Sequence, residues 1–258
     1  MSAFGLRFTV LVLASCCMPS AQAQTGSLFT TPTTTAISDI QRKSLEDLAN
    51  DIPQLAVFRE ANHALGEPVP GKPRIVFFGD SLTQAWGSPA NGSSFFPGKG
   101  YLNRGISGQT SLQMLARFRQ DVIDLHPAVV LILAGTNDLA GNMGPASPET
   151  IAANLQSMAE LARANQIRVV LCSVLPTSGY RWRPDAKPAL PIVALNSWIK
   201  QYAAHNRLVY VDYYSVLATS DGALRPELTH DGVHLNAQGY DLLAPLAEVG
   251  IASALVRR

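Results

Sequence analysis

Apolar runs without alternation recur at Arg74–Gly79, Ala128–Ala134, Ile167–Val174 and Leu208–Val211, and Tyr101–Arg104 is a shorter candidate. A strand with one wet face alternates apolar and polar residues. A continuous run instead fits a strand covered on both faces, as in a parallel sheet between helices. Helical periodicity fills the intervals. Ile151, Leu155, Met158 and Leu161 share one face, opened by Ser147-Pro148, a hydroxyl cap followed by a first-turn proline. Leu190–Ala204 and Ala237–Gly250 also read as helices, and residues 39–65 read as helical with a break at Pro53. The proline and glycine cluster from Gly66 to Pro73 then leads into the first strand. Strands and helices in alternation predict an α/β fold, a three-layer α/β/α doubly wound (flavodoxin-like) sandwich on a mainly parallel sheet of about five strands. Ligands of such folds bind outside the carboxyl ends of the strands.

The chain has 258 residues, 47% hydrophobic and 15% charged, with a formal net charge of +1. That suits a single domain, placed at residues 37–258. No basic run appears, so nucleic acid is not an expected partner. Arg7 precedes the apolar stretch Phe8–Ala14, and Ala21-Gln22-Ala23 offers a small-residue cleavage site. Residues 1–23 therefore read as a secretory signal peptide, too short to span a bilayer, which implies export to the periplasm or the exterior. Leu13-Ala14-Ser15-Cys16 also fits a lipobox, which makes lipid anchoring through Cys16 the alternative. The Thr-rich residues 24–36 read as a flexible linker. Beyond the leader no long apolar stretch suggests a transmembrane helix. Cys172, the one cysteine left after the leader, cannot form an internal disulfide and reads as a small core residue within Val169–Cys172.

Four short blocks carry the chemistry: Gly79-Asp80-Ser81-Leu82, Gly105-Ile106-Ser107-Gly108, Gly135-Thr136-Asn137-Asp138 and Asp231-Gly232-Val233-His234. The first three follow predicted strand ends, where a doubly wound fold gathers its site. Together they offer a nucleophile, oxyanion donors and a base with an orienting acid, the inventory for acyl transfer. No His, Glu and Cys cluster has zinc spacing and no Gly-x-Gly-x-x-Gly loop is present, so no metal or cofactor is implied. The Gly-x-Ser-x-Gly elbow of α/β-hydrolases is also missing.

These blocks resemble those of the SGNH (GDSL-type) hydrolase superfamily, in the bacterial branch similar to lysophospholipases and platelet-activating-factor acetylhydrolases. The resemblance spans residues 79–234. It implies Ser81 as nucleophile, His234 as general base and Asp231 as its orienting acid. The Ser81 amide, Gly108 and Asn137 then form the oxyanion hole. A glycine lets a backbone N–H approach substrate, and a neutral side-chain amide donates without titrating. Among the five histidines, His63, His126 and His205 read as structural. His230 adjoins Asp231 and is the rival; spacing and resemblance both choose His234. Asp138 reads as a loop brace.

The loop Thr177–Pro188 follows the fourth strand and overhangs the same crevice, so Arg181, Trp182 and Arg183, beside Tyr180, are candidate substrate-binding residues. The leading reading is a secreted serine ester hydrolase acting on short-chain or acetyl esters of carbohydrates or similar small alcohols. A lysophospholipase-type lipid acylhydrolase is the alternative within that chemistry. A non-catalytic exported binding module on the same fold is the alternative outside it.

Overall fold

One parallel sheet of five strands organises the protein: β1 Ile75–Gly79, β2 Leu102–Gly105, β3 Val129–Leu133, β4 Arg168–Cys172 and β5 Val209–Val211, in the order β2-β1-β3-β4-β5. The structure is a computed structural model and describes residues 39–257. The expected signal peptide, linker and Cys16 lie outside the described residues. Registers run without a break; Gly79 of β1, for example, pairs with Gly105 of β2 and with Leu133 of β3. Strand order reverses between β1 and β3, and that switch point is where a doubly wound sheet opens a crevice.

The helices are α1 Asp39–Asn50, α2 Arg59–His63, α3 Ser81–Gln84, α4 Ser111–Asp121, α5 Thr136–Leu139, α6 Pro148–Ala164, α7 Ala189–His205, α8 Tyr214–Leu217 and α9 Ala237–Val256. Alternate strand residues serve the two faces. Val76, Phe78, Val130, Ile132, Val169 and Leu171 pack against α4, α6 and α7 through Met114, Phe118, Ile151, Leu155, Ile192 and Leu195. Ile75, Phe77, Leu131, Val170 and Val211 pack on the other side against α9 through Leu243, Ala247 and Ile251. The three expected layers are present, and both faces of the sheet are dry. Cys172 is buried in the second layer, and burial pushes its thiol up to about 12.

Two expectations shift, and one helix was not expected. The α6 face turns onto Ala159 and Ala162, leaving Leu161 37% exposed. Helix α9 continues to Val256, and by length and composition it is apolar enough to cross a membrane. Here its buried stripe covers the sheet while Val249 and Val256 face outward. Helix α4, for which the hydrophobic pattern gave no expectation, packs against α6 and buries four polar residues, Ser111, Gln113, Arg117 and Asp121.

Candidate active site

At the end of β1 the chain turns directly into α3. Asp80 caps this helix, its Oδ1 accepting from the Leu82 N–H at 2.9 Å. Gly79 is required because a Cβ there would overlap Thr83 Oγ1 on the turn above. Tyr240 of α9 holds the same turn from the other side, its hydroxyl donating to the Leu82 carbonyl at 2.8 Å. Ser81 thus stands at the first position of a short, firmly seated helix, where a backbone N–H has no intrahelical partner.

Asp231 and His234 lie on a tight loop before α9. The Thr229 hydroxyl donates to the His234 carbonyl at 2.7 Å and accepts from the Asp231 and Gly232 N–H groups. Asp231 Oδ1 accepts from the Val233 and His234 N–H groups, while Oδ2 lies 2.8 Å from His234 Nδ1. Burial pushes the Asp231 carboxyl up, but these N–H donors and the imidazole together hold it below the usual carboxylate range. His234 Nε2 lies 3.0 Å from Ser81 Oγ. A hydroxyl, an imidazole and a carboxylate in line at these distances can pass a proton from Oγ to Nε2 while the other ring nitrogen stays held. Thr229 was not singled out by sequence; its place two residues before Asp231 was the available signal.

Gly108 follows β2 and Asn137 is the second residue of α5 after β3, so both stand at the same end of the sheet as Ser81. Gly108 has φ +78°, a left-handed backbone that favours glycine. Buried Asn137 donates from Nδ2 to Asp80 Oδ2 at 3.1 Å and to the Gln109 carbonyl at 3.0 Å. Burial raises the Asp80 carboxyl to about 6, against the pull of the Leu82 N–H and of His234. Asp138 accepts from the Ser111 N–H and hydroxyl at 2.8 and 2.6 Å, bracing α4 as its sequence position suggested.

Beneath this floor lies a residue the sequence did not flag. Arg117 is fully buried and donates to the carbonyls of Gly79 and Arg104 at 2.9 and 3.0 Å, to Gln109 Oε1 and to Asp121 Oδ2 at 3.0 Å. Its guanidinium also lies 4.2 Å from the Phe78 ring centroid. One cation therefore ties together the ends of β1 and β2 and the residue that receives Asn137.

Of the candidate substrate wall, Trp182 reaches His234: the two ring centroids are 6.4 Å apart, and Trp182 is 43% exposed. Arg183 instead spends Nη2 on the Gly141 carbonyl at 2.9 Å, fastening the loop down. Arg181 is exposed. Arg183 and Gly141 also border a cavity of about 410 Å³. His230 is exposed and its N–H contacts the His234 carbonyl at 3.4 Å; His63 and His205 are exposed, and His126 pairs with Glu67. Among the described residues, no group of three or more His, Cys, Asp or Glu side chains is placed to hold a metal ion.

A family model for GDSL-like lipases and acylhydrolases matches residues 77–242, and so takes in all four blocks. The chain belongs to this family. As a GDSL-like acylhydrolase it is a carboxylic ester hydrolase. The crystal structure of a GDSL-like lipase from Bacteroides thetaiotaomicron is 43% identical in sequence, with a TM-score of 0.75 over 79% of this chain and 99% of that one. Platelet-activating factor acetylhydrolase IB subunit alpha1 from Bos taurus is 27% identical over 177 residues, 66% of this chain and 71% of that protein. An acetylxylan esterase from Geobacillus stearothermophilus, 23% identical, shares the fold with a TM-score of 0.57 over 72% of this chain and 96% of that one.

Proposed function

We propose that this GDSL-like hydrolase is an exported serine esterase that removes short acyl groups, acetyl first among them, from carbohydrates or similar small alcohols. The carrying observation is the Asp231–His234–Ser81 line, with links of 2.8 and 3.0 Å. Ser81 Oγ attacks the ester carbonyl and passes its proton to His234 Nε2. The carbonyl oxygen becomes an oxyanion beside the Ser81 N–H, the Gly108 N–H and the Asn137 amide. Collapse expels the alcohol, which takes the proton from His234, and leaves an acyl group on Ser81. Water then attacks, giving its proton to His234, and the acid leaves with Ser81 restored.

Two observations support the substrate class. His234 and Trp182 are open to solvent, with 34% of the His234 side chain exposed, so a bulky alcohol can approach the ester from outside. The relatives include an enzyme named for acetyl hydrolysis and one named for acetylxylan. Release of acetate from acetylated xylooligosaccharide, compared with fatty acid from a lysophospholipid, tests this reading. Faster turnover of the lysophospholipid overturns the carbohydrate assignment in favour of a lipid acylhydrolase. Export rests on residues 1–23; sequencing the secreted protein should find Gln24 at its start, and a lipidated Cys16 would replace that with an anchor.

A further inference from the structure

Hydrogen-bond polarity in this site runs in one direction. The Trp182 indole Nε1–H can only donate, and it donates to Asn142 Oδ1 at 3.0 Å. The amide of Asn142 is thereby oriented with Nδ2 toward the floor of the site. Nδ2 donates to Asn137 Oδ1 at 2.7 Å and to the Gly108 carbonyl at 3.3 Å. Asn137 is then fixed in turn, with Oδ1 toward Asn142 and both Nδ2 hydrogens on Asp80 and the Gln109 carbonyl, so that donation to an oxyanion takes one of these hydrogens from its present acceptor. Reversing either amide would set donor against donor at one end and oxygen against oxygen at the other. The Asn142 backbone adds a further tie, its N–H donating to the Asn137 carbonyl at 3.0 Å.

We infer that Asn142 is the positioning residue of the oxyanion hole, orienting the Asn137 amide and linking it to the exposed Trp182 wall. This rests on the reading of Asn137 as an oxyanion donor. A donor that faces the wrong way stabilises no transition state, whereas substrate binding in the open groove is little affected. Asn142 therefore acts on kcat, through Asn137, without touching substrate. The arrangement also places the residue that meets the substrate's alcohol portion one hydrogen bond away from the residue that orients the hole.

The experiment is a double-mutant cycle on an activated acetyl ester, with thermal unfolding of each variant as a check on folding. Asn142→Ala should lower kcat by roughly 10–100-fold with KM within about threefold. The isosteric Asn142→Asp keeps an acceptor for Trp182 but cannot donate to Asn137 Oδ1; it should lose as much kcat while retaining a folded state. Affinity for a trifluoromethyl ketone, which forms a tetrahedral oxyanion on the serine, should fall in parallel with kcat. Asn137→Ala combined with Asn142→Ala should be within about threefold of Asn137→Ala alone. If Asn137→Ala is slow but both Asn142 variants turn over normally, or the two effects multiply, the positioning role is overturned and the oxyanion reading stands. If Asn137→Ala itself turns over normally, the oxyanion reading fails and this inference with it.

Discussion

Ser81 and His234 are 153 residues apart in sequence, yet Oγ and Nε2 meet at 3.0 Å. The sheet brings them together. Ser81 leaves the carboxyl end of β1, and the loop that carries His234 is fastened just before α9, the helix that covers β3, β4 and β5. Tyr240 of α9 then reaches the carbonyl of Leu82, one residue past the serine. The Ser81–His234 contact is thus set by packing between a strand end and a covering helix, not by either loop alone.

Asp231→Asn isolates the role of the acid. The asparagine keeps the shape of the loop but presents an N–H to His234 Nδ1, which favours the tautomer with Nε2 protonated and unable to accept from Ser81. A kcat loss of roughly 10³–10⁴-fold, with KM within a few-fold, is the expected result by analogy with other triads. Steady-state kinetics on a soluble ester checks it, and a loss below tenfold would contradict the assigned orientation.

Two carboxylates of the site, Asp80 and Asp231, respond oppositely to pH. Asp80 is raised by burial to about 6, so its contribution to stability is present below 3.8 and is lost as pH rises through about 6. Asp231 is held low by its donors, so its contribution is present above the ordinary carboxylate range and is lost as pH falls. Urea unfolding between pH 4 and pH 7 should show Asp80→Asn lacking the decline that Asp80 adds to the wild type. Identical pH slopes in the two proteins would show that Asp80 does not titrate in this window.

Arg117 is the stabilising centre of the floor. Burial lowers its guanidinium to about 10, against the attraction of Asp121, and it remains charged at neutral pH. Arg117→Met removes four hydrogen bonds and leaves Asp121 buried with only the neutral Asn62 and Gln120 amides as hydrogen-bond donors. Breaking a buried pair in this way typically costs about 3–5 kcal/mol. Chemical denaturation should report a loss of that size, together with reduced kcat as the ends of β1 and β2 loosen. A loss below about 1 kcal/mol would contradict the clamp.

Most of the fold was legible because its strands are dry on both faces. Val129–Leu133 and Arg168–Cys172 declare themselves as apolar runs, and Ser147-Pro148 marks the start of α6. The cluster of Ser81, Asp231 and His234 was legible because Ser81 closely follows a strand and the other two share one short loop. Helix α4 was not, because its inward stripe of Gln113, Arg117 and Asp121 is polar and reads as a solvated face. Its capping box, Thr110 with Gln113, was the local signal available. Asn142 was equally hidden: a loop asparagine carries no pattern, and its place between Trp182 and Asn137 exists only in three dimensions. The bond from Arg183 to the Gly141 carbonyl was hidden for a related reason, since the two residues meet only in three dimensions.

Hydrolysis of p-nitrophenyl esters of graded chain length by wild type and by Ser81→Ala tests the assignment of Ser81 as nucleophile. The wild type should turn over the acetyl and other short esters, with rates falling as the acyl chain lengthens, and the variant should show none above background. Comparable hydrolysis by Ser81→Ala would contradict the nucleophile assignment.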